Sequence, residues 1–365
     1  MEKQENRASA HVETKPKEQQ ISLSILKKRW LKFKTLKRGY YSFIILIVFY
    51  LVSFTFPFIF ISSRALVVHY EGKNYFPTIA GFYPGEFFGE DVSGEANYRE
   101  LKEKWKRAKS DNWVLLAPYE YGPLEDITTE GNKMFEKPSS KHWLGSDNTG
   151  RDVFSRLMLG FTISISFGIF ITTVSYVIGV SLGAAMGYFG GKFDLIFQRF
   201  IEVWSTLPLL FVVIIISSIV TPNFFLLVAI LASVSWMGMT YFMRAEFYRE
   251  KTKDYVAAAL SMGQSNRKII FKHILPNSLV PIITYFPFSV ISGISSLVGL
   301  DFLGFGLPPP TPSWGQMVSV GLQNITKWWM VLSPLGALFI TLMLIVFIGE
   351  AIREAFDPKV FSRLR

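Results

Sequence analysis

Six stretches of this chain run without one charged side chain: 39–63, 157–189, 203–220, 224–243, 279–300 and 328–349. A helix needs roughly 20 consecutive apolar residues to cross the hydrocarbon core of a bilayer. Inside lipid, every backbone amide must be satisfied within its own helix or a closed barrel. The runs therefore predict an all-α membrane protein with six transmembrane helices. Half of the 365 residues are hydrophobic and only 18% are charged, too apolar a balance for an ordinary soluble chain. With no cysteine, disulfides and thiolate metal sites are excluded.

The net charge of +10 is unevenly placed. Basic residues crowd the N-terminal arm, the 244–276 loop and the 350–365 tail (Arg353, Lys359, Arg363, Arg365). The Thr221-Pro222-Asn223 turn has no cation, and the 301–327 loop has only Lys327. The positive-inside rule then puts both termini and the 244–276 loop in the cytoplasm. Residues 1–20 are polar and unpatterned, as in a disordered tail, and no cleaved signal peptide is expected. In 21–38, Leu23, Leu26, Trp30 and Phe33 recur at helical spacing among lysines and arginines, the pattern of an amphipathic helix lying in the membrane interface. A nucleic-acid-binding arm is the alternative, but this stretch runs straight into the first span, so a lipid bilayer and no nucleic acid is the expected partner. The 64–153 insertion is long, carries both signs of charge and falls outside. It has a strand-like piece at 65–70 and a charged stretch, Tyr98 to Lys109, readable as a surface helix. It is marginal in size for independent stability, so it is expected to lean on the membrane domain or a partner.

Between the fourth and fifth spans lies a polar and basic island, Asp254 to Asn277. Ala257, Ala258 and Ala259 favour a helix, Gly263 interrupts it as a C-cap glycine does, and Ser265 can cap a second short helix. In that second helix Ile269, Ile270 and Ile274 make one face, Arg267, Lys268 and Lys272 the other, and Pro276 is expected to close it. Two short helices meeting at a glycine make a knob suited to a groove on another protein. The pattern of a small triplet, Gly263, and then Leu275-Pro276 resembles the EAA loop of permease subunits of ABC importers. Tyr255-Val-Ala-Ala and His273-Ile-Leu-Pro-Asn277 resemble the dipeptide/oligopeptide branch. One departure is that the glutamate naming the motif is Ala257 here.

The resemblance extends from about Trp143 to Pro358, plus the first span. His142 to Arg156 is similar to the branch's GTD-x-x-GRD signature, in which Asp147 and Asp152 can cap turns and helix starts; a calcium site there is conceivable but lacks EF-hand spacing. The long 64–153 insertion, with Tyr70 to Pro77, resembles the subgroup importing microcin C-type and other oligopeptides. In the second span Ser175, Gly179, Gly183, Gly187 and Gly191 stand four apart, a packing ridge of small residues. The fifth span has Pro281 and Pro287, then Ser289, Ser292, Gly293 and Ser296. The resemblance implies that this span lines the translocation path, whereas the residues alone also allow the serines to bond back to their own helix. Leu300 to Gly315, with Asp301, Gly304, Gly306 and Trp314, matches the family's external loop, implied to shape the outer mouth where a binding protein docks.

Other chemistry is missing. There is no G-x-x-x-x-G-K-[ST] loop for ATP and no H-E-x-x-H among the four histidines, so neither a catalytic site nor a metal site is expected. No span carries the intramembrane charge that proton-coupled transporters use. The resemblance implies a type I ABC importer permease for peptides, coupled through Tyr255, Ala258, Ala259, Gly263, His273, Leu275 and Pro276. It would work with a second homologous permease, two ABC ATPase domains that bind ATP and Mg, and a periplasmic solute-binding protein in the bacterial inner membrane. Dipeptides, glutathione or nickel complexes are alternative cargoes. A secondary transporter without an ATPase, or a membrane-anchored receptor built around 64–153, are the readings from other classes.

Overall fold

The computed structural model describes residues 25–91, 94–125 and 134–357. The expected disordered tail (1–20), Leu23 and the basic residues beyond Pro358 lie outside the described residues. A short helix, α1 (Ile25–Thr35), turns through 98° at Leu36 into α2 (Lys37–Ser53). The interfacial helix thus ends before Lys37 and Arg38, which open the first membrane helix instead. Phe33 is buried against Ala351 and Ala355, so the arm is pinned to the last helix rather than lying only on lipid. The first span was expected to run straight to 63. In the fold it ends at Ser53 and gives way to a π-helical turn, Phe56–Phe60.

The insertion forms a small domain. Strands β1 (Val67–Tyr70), β2 (Lys73–Tyr75) and β3 (Trp113–Leu115) make an antiparallel sheet in the order β2-β1-β3. Between β2 and β3 lie a single turn, α3 (Pro77–Ala80), and α4 (Tyr98–Ala108), capped by the Asn97 side chain and matching the expected surface helix. Val68, Phe88, Tyr98, Leu101 and Trp105 form its core. The domain does lean on the bundle. The Tyr119 hydroxyl donates to Asp152 Oδ2 at 2.6 Å, and His142 Nδ1 lies 2.8 Å from the same oxygen. Asp152 Oδ1 meanwhile accepts from the Ser155 amide and caps the next helix. Burial and the Asp152 carboxylate push the Tyr119 pKa up, so it stays a neutral donor.

That next helix, α5 (Val153–Phe189), is the longest, and starts four residues before the apolar run because Asp152 caps it. Gly190 and Gly191, both at positive φ, turn the chain into α6 (Gly191–Ser205), which Pro208 separates from α7 (Leu209–Ile219) at 68°. The third span is therefore a bent pair, with Trp204 at the end of its first limb. Eleven residues in α7 reach only about 16 Å, too short to cross alone. Helix α8 (Phe224–Lys251) continues two turns beyond the expected 243. Arg244 forms a bidentate pair with Asp194 of α6 at 2.5 and 2.6 Å, and the Tyr248 hydroxyl joins at 2.9 Å, so the extension carries its own polar partners. After the knob, α12 (Leu279–Leu303), α13 (Trp314–Gln323) and α14 (Trp328–Phe356) complete the chain. The 301–327 loop thus holds a helix, capped by Ser313, and the last span runs seven residues past 349. Among the described residues four helices are long and apolar enough to cross a membrane, or six if each bent pair counts as one.

The small-residue ridge of α5 is where the bundle is tightest. A Cβ on Gly179, Gly183 or Gly187 would come within 2.5–2.6 Å of the carbonyl oxygens of Trp236, Thr240 and Arg244. Each step of four along α5 is matched by four along α8, so the two run parallel, backbone on backbone. The ridge stops there: Gly191 belongs to the turn, with open space where a Cβ would stand. Gly183→Ala should cost about 1–3 kcal/mol by overpacking, read as a lower melting temperature in detergent. Gly238→Ala, with open space around it, should leave the temperature unchanged or raise it slightly.

Candidate coupling knob and hydroxyl-lined cleft

The knob leaves α8 at its C-terminal end. α9 (Asp254–Ser261) carries the alanine triplet and has Asp254 in its first turn, where a carboxylate favours the helix dipole. Val256 and Ala259 are buried against Met243, Phe247, Ile269 and Ile274. The helix ends in a Schellman motif: Gln264 N–H donates to Ala259 O at 3.1 Å and Gly263 N–H to Leu260 O at 2.9 Å. Gly263 sits at φ +67°, with nothing within 4 Å of where a Cβ would be. The requirement for glycine is therefore one of backbone conformation, not of space.

Past the bend come α10 (Asn266–Lys268), a π-helical stretch Ile269–Ile274, and α11 (Leu275–Asn277). Two local expectations are corrected. Ser265 holds the N-cap position with extended backbone but makes no side-chain cap; the Tyr188 hydroxyl instead tethers Asn266 Oδ1 at 2.8 Å. Pro276 does not close the helix, because the wider π turn, with Leu275 N–H on Ile270 O, shifts the register ahead of it. The chain passes through Ser278 directly into α12.

The knob is tied to α8 by Glu250, only 2% exposed, which accepts from Tyr255 Oη at 2.7 Å and Lys253 Nζ at 2.5 Å. Burial, then the carboxylate, pushes the Tyr255 pKa up to about 12, so it remains a donor. His273 Nε2 meets Gln264 Oε1 at 2.8 Å across the bend. Of the residues expected to couple, Tyr255, Ala259, His273 and Leu275 are thus wholly or partly inside and hold the shape. Ala258, Gly263 and Pro276 are exposed. Ala257, where the motif's glutamate would stand, is exposed too. The sequence reading missed three apolar side chains on the surface: Leu260, Met262 and Phe271 are 49%, 69% and 67% exposed. Phe271, between Ile270 and Lys272, falls on the basic face of the helix, and that mismatch was the available signal.

Midway along the bundle, Ser289, Ser292, Gly293 and Ser296 of α12 face Thr172, Ser175 and Tyr176 of α5 and Ser235 of α8 across a cleft of about 170 Å³. Ser289 Oγ lies 2.8 Å from Tyr176 Oη, so it is committed across the cleft rather than to its own helix. Thr172 and Ser175 hold buried hydroxyls without hydrogen-bond partners. Gly293 packs: its Cβ would lie 2.6 Å from Ile171 Cγ2.

At the insertion end, α12 stops in a second Schellman turn at Gly304, φ +83°. Asp301, 3% exposed, accepts from the Leu307 amide at 2.7 Å and Ser313 Oγ at 2.5 Å, and Gly306 lies against its carboxylate. Trp314, 1% exposed, donates to Leu157 O at 3.0 Å and fills the space over Gly160. Asp301, Gly306 and Trp314 are buried and brace the loop from within; of the four expected residues Gly304 alone is exposed. Asp301→Ala, which strands a buried amide and hydroxyl, should cost about 1–3 kcal/mol for each. It should open 304–313 to limited proteolysis.

Residues 179–362 match the family described as the binding-protein-dependent transport system inner membrane component. The chain is 42% identical over 332 residues to the inner membrane ABC transporter permease protein YejE of Escherichia coli K12, covering 91% of this chain and 96% of that protein. It is 36% identical to the peptidoglycan transport system permease protein YejE of Agrobacterium fabrum, over 91% and 93% of the two chains. To the oligopeptide transport system permease protein OppC of Haemophilus influenzae it is 34% identical, over 68% and 80%. The chain belongs to the family of binding-protein-dependent inner membrane transport components and is a membrane-embedded permease subunit of the ABC importer class, not an enzyme.

Proposed function

We propose that this permease carries peptides, from oligopeptides to peptidoglycan-derived fragments, into the cytoplasm, driven by separate ATPase subunits that grip the Asp254–Asn277 knob. The names of its relatives support the peptide class. In this reading both termini and the knob face the cytoplasm, while the insertion and α13 face the periplasm and a solute-binding protein. A second homologous permease completes the path, which runs beside the hydroxyl cleft of α5, α8 and α12. Uncharged hydroxyls can donate to and accept from any peptide amide without selecting a side chain.

The observation that carries the reading is how the knob is built and fastened. A Schellman-locked bend at Gly263 exposes Leu260, Met262 and Phe271, while Glu250 and Tyr255 fasten the same unit to α8. Exposed apolar side chains on a stiff polar-based projection suit a hydrophobic groove on a partner. A push on the knob passes into α8 and α12 at once, because α8 leads in and α12 leads out. Closure of two ATPases around bound ATP and Mg would then rock the helices as rigid bodies between inward- and outward-open states.

Gly263→Val should abolish ATP-dependent uptake of a labelled peptide in a deletion strain, with the protein still in the membrane, since a β-branched residue at φ +67° is strained. Gly263→Asn, tolerant of that region, should retain most uptake. Phe271→Asp should lower co-purification of the ATPase. Normal uptake by Gly263→Val, or uptake by the purified single chain in a proton gradient, would refute the coupling assignment.

A further inference from the structure

At the periplasmic end a cavity of about 740 Å³ opens between the N-terminal end of α5, α7, the 301–310 loop and α13. Arg151 and Arg156 both line it, and both have a buried Nε without a hydrogen-bond partner; the Ser217 hydroxyl on the opposite wall is likewise unpartnered. Arg156 is only 4% exposed. Its Nη1 lies 3.3 Å from Pro310 O, and its Nε is 3.4 Å from Asp147 Oδ2, an ion contact without a hydrogen bond. Asp147 spends its other oxygen on Thr149 and on the Arg151 amide. Asp301 also borders the cavity, but its oxygens are taken by Leu307 and Ser313. Among the described residues the Arg151 guanidinium has no ion-pair partner. Arg156 is buried and Arg151 half-buried, so two guanidinium groups stand against one available carboxylate, and Gln316 adds to the polar wall.

We infer that this cavity binds a carboxylate, and that its ligand is the C-terminal carboxylate of the incoming peptide. Among the described residues Arg151 has no ion partner at the cavity wall and Arg156 shares only Asp147, so an arriving anion gains both charges, and a guanidinium fork matches a carboxylate in two parallel hydrogen bonds. A peptide's terminus is the one anion present whatever its sequence, so the cavity grips what all linear peptides share. The inference rests on the peptide reading above and adds the group by which the peptide is held at the entrance.

The test uses the full chain in a deletion strain that keeps its partner subunits. Uptake of a labelled tripeptide is competed with the same unlabelled peptide as free acid or as C-terminal amide, in wild type, Arg151→Gln and Arg151→Lys, at matched membrane levels. The acid should compete about tenfold or more better than the amide in wild type, as expected of a charge-assisted contact. Arg151→Gln should bring the ratio towards one, and Arg151→Lys should hold it between. The assignment is overturned if wild type does not discriminate, or if Arg151→Gln keeps the wild-type ratio, which would place the choice in the binding protein. It is equally overturned if acid and amide weaken together, which would make Arg151 a docking or structural residue. Failure of the peptide reading is distinguishable, since then wild type takes up no labelled peptide at all.

Discussion

Backbone-to-backbone contact between α5 and α8 is the constraint on which the rest of the bundle depends. Hydrophobicity cannot hold two helices together in lipid, where the alternative environment is just as apolar. Gly179, Gly183 and Gly187 replace that driving force with proximity, letting the carbonyls of α8 approach to distances a methyl group would forbid. With the two helices fixed, α5 offers its other faces to α12 through Gly168 and Gly293, and to α13 through Gly160 and Trp314. The hydroxyl cleft lies where α5, α8 and α12 meet, bounded by these close contacts.

The two ends of the bundle use polar chemistry in the same manner. At the knob end Arg244, Asp194 and Tyr248 join α8 to α6, and Glu250 ties α8 to Tyr255. At the insertion end Asp152 gathers Tyr119, His142 and the Ser155 amide, while Asp301 gathers the Leu307 amide and the Ser313 hydroxyl. In each case one buried carboxylate accepts two or three bonds and ties a helix to a neighbouring helix or loop. Each such unit is held together from inside, as a close-packed interior requires.

Much of this was legible from the chain alone. Uncharged length located the membrane helices because the bilayer sets a minimum that no other environment imposes. The Gly263 bend was readable because only a few residues accept positive φ, and the four-residue spacing of glycines marked a face because a helix repeats at that period. The misreadings share a cause. The unbroken third span (203–220), Pro276 and the 301–327 loop were judged by local preference. Their conformation is set by neighbours: the bend between α6 and α7, the π turn before Leu275, and the Asp301 and Ser313 bonds that hold α13 in place.

The sequence by itself determined that the chain lies in a membrane, that a bent polar knob interrupts its helices, and that small residues form one packing face. These follow from hydrophobic length, backbone sterics and helical period, which act over a few turns of chain. Only the tertiary structure decided that Trp314 and Asp301 are internal braces and that Phe271 and Met262 face outward. It alone placed Arg151 and Arg156 in one cavity opposite Ser217. Burial and hydrogen bonding at such positions are set by residues more than 150 positions away, as in the Trp314–Leu157 bond across 157, and no local pattern encodes them.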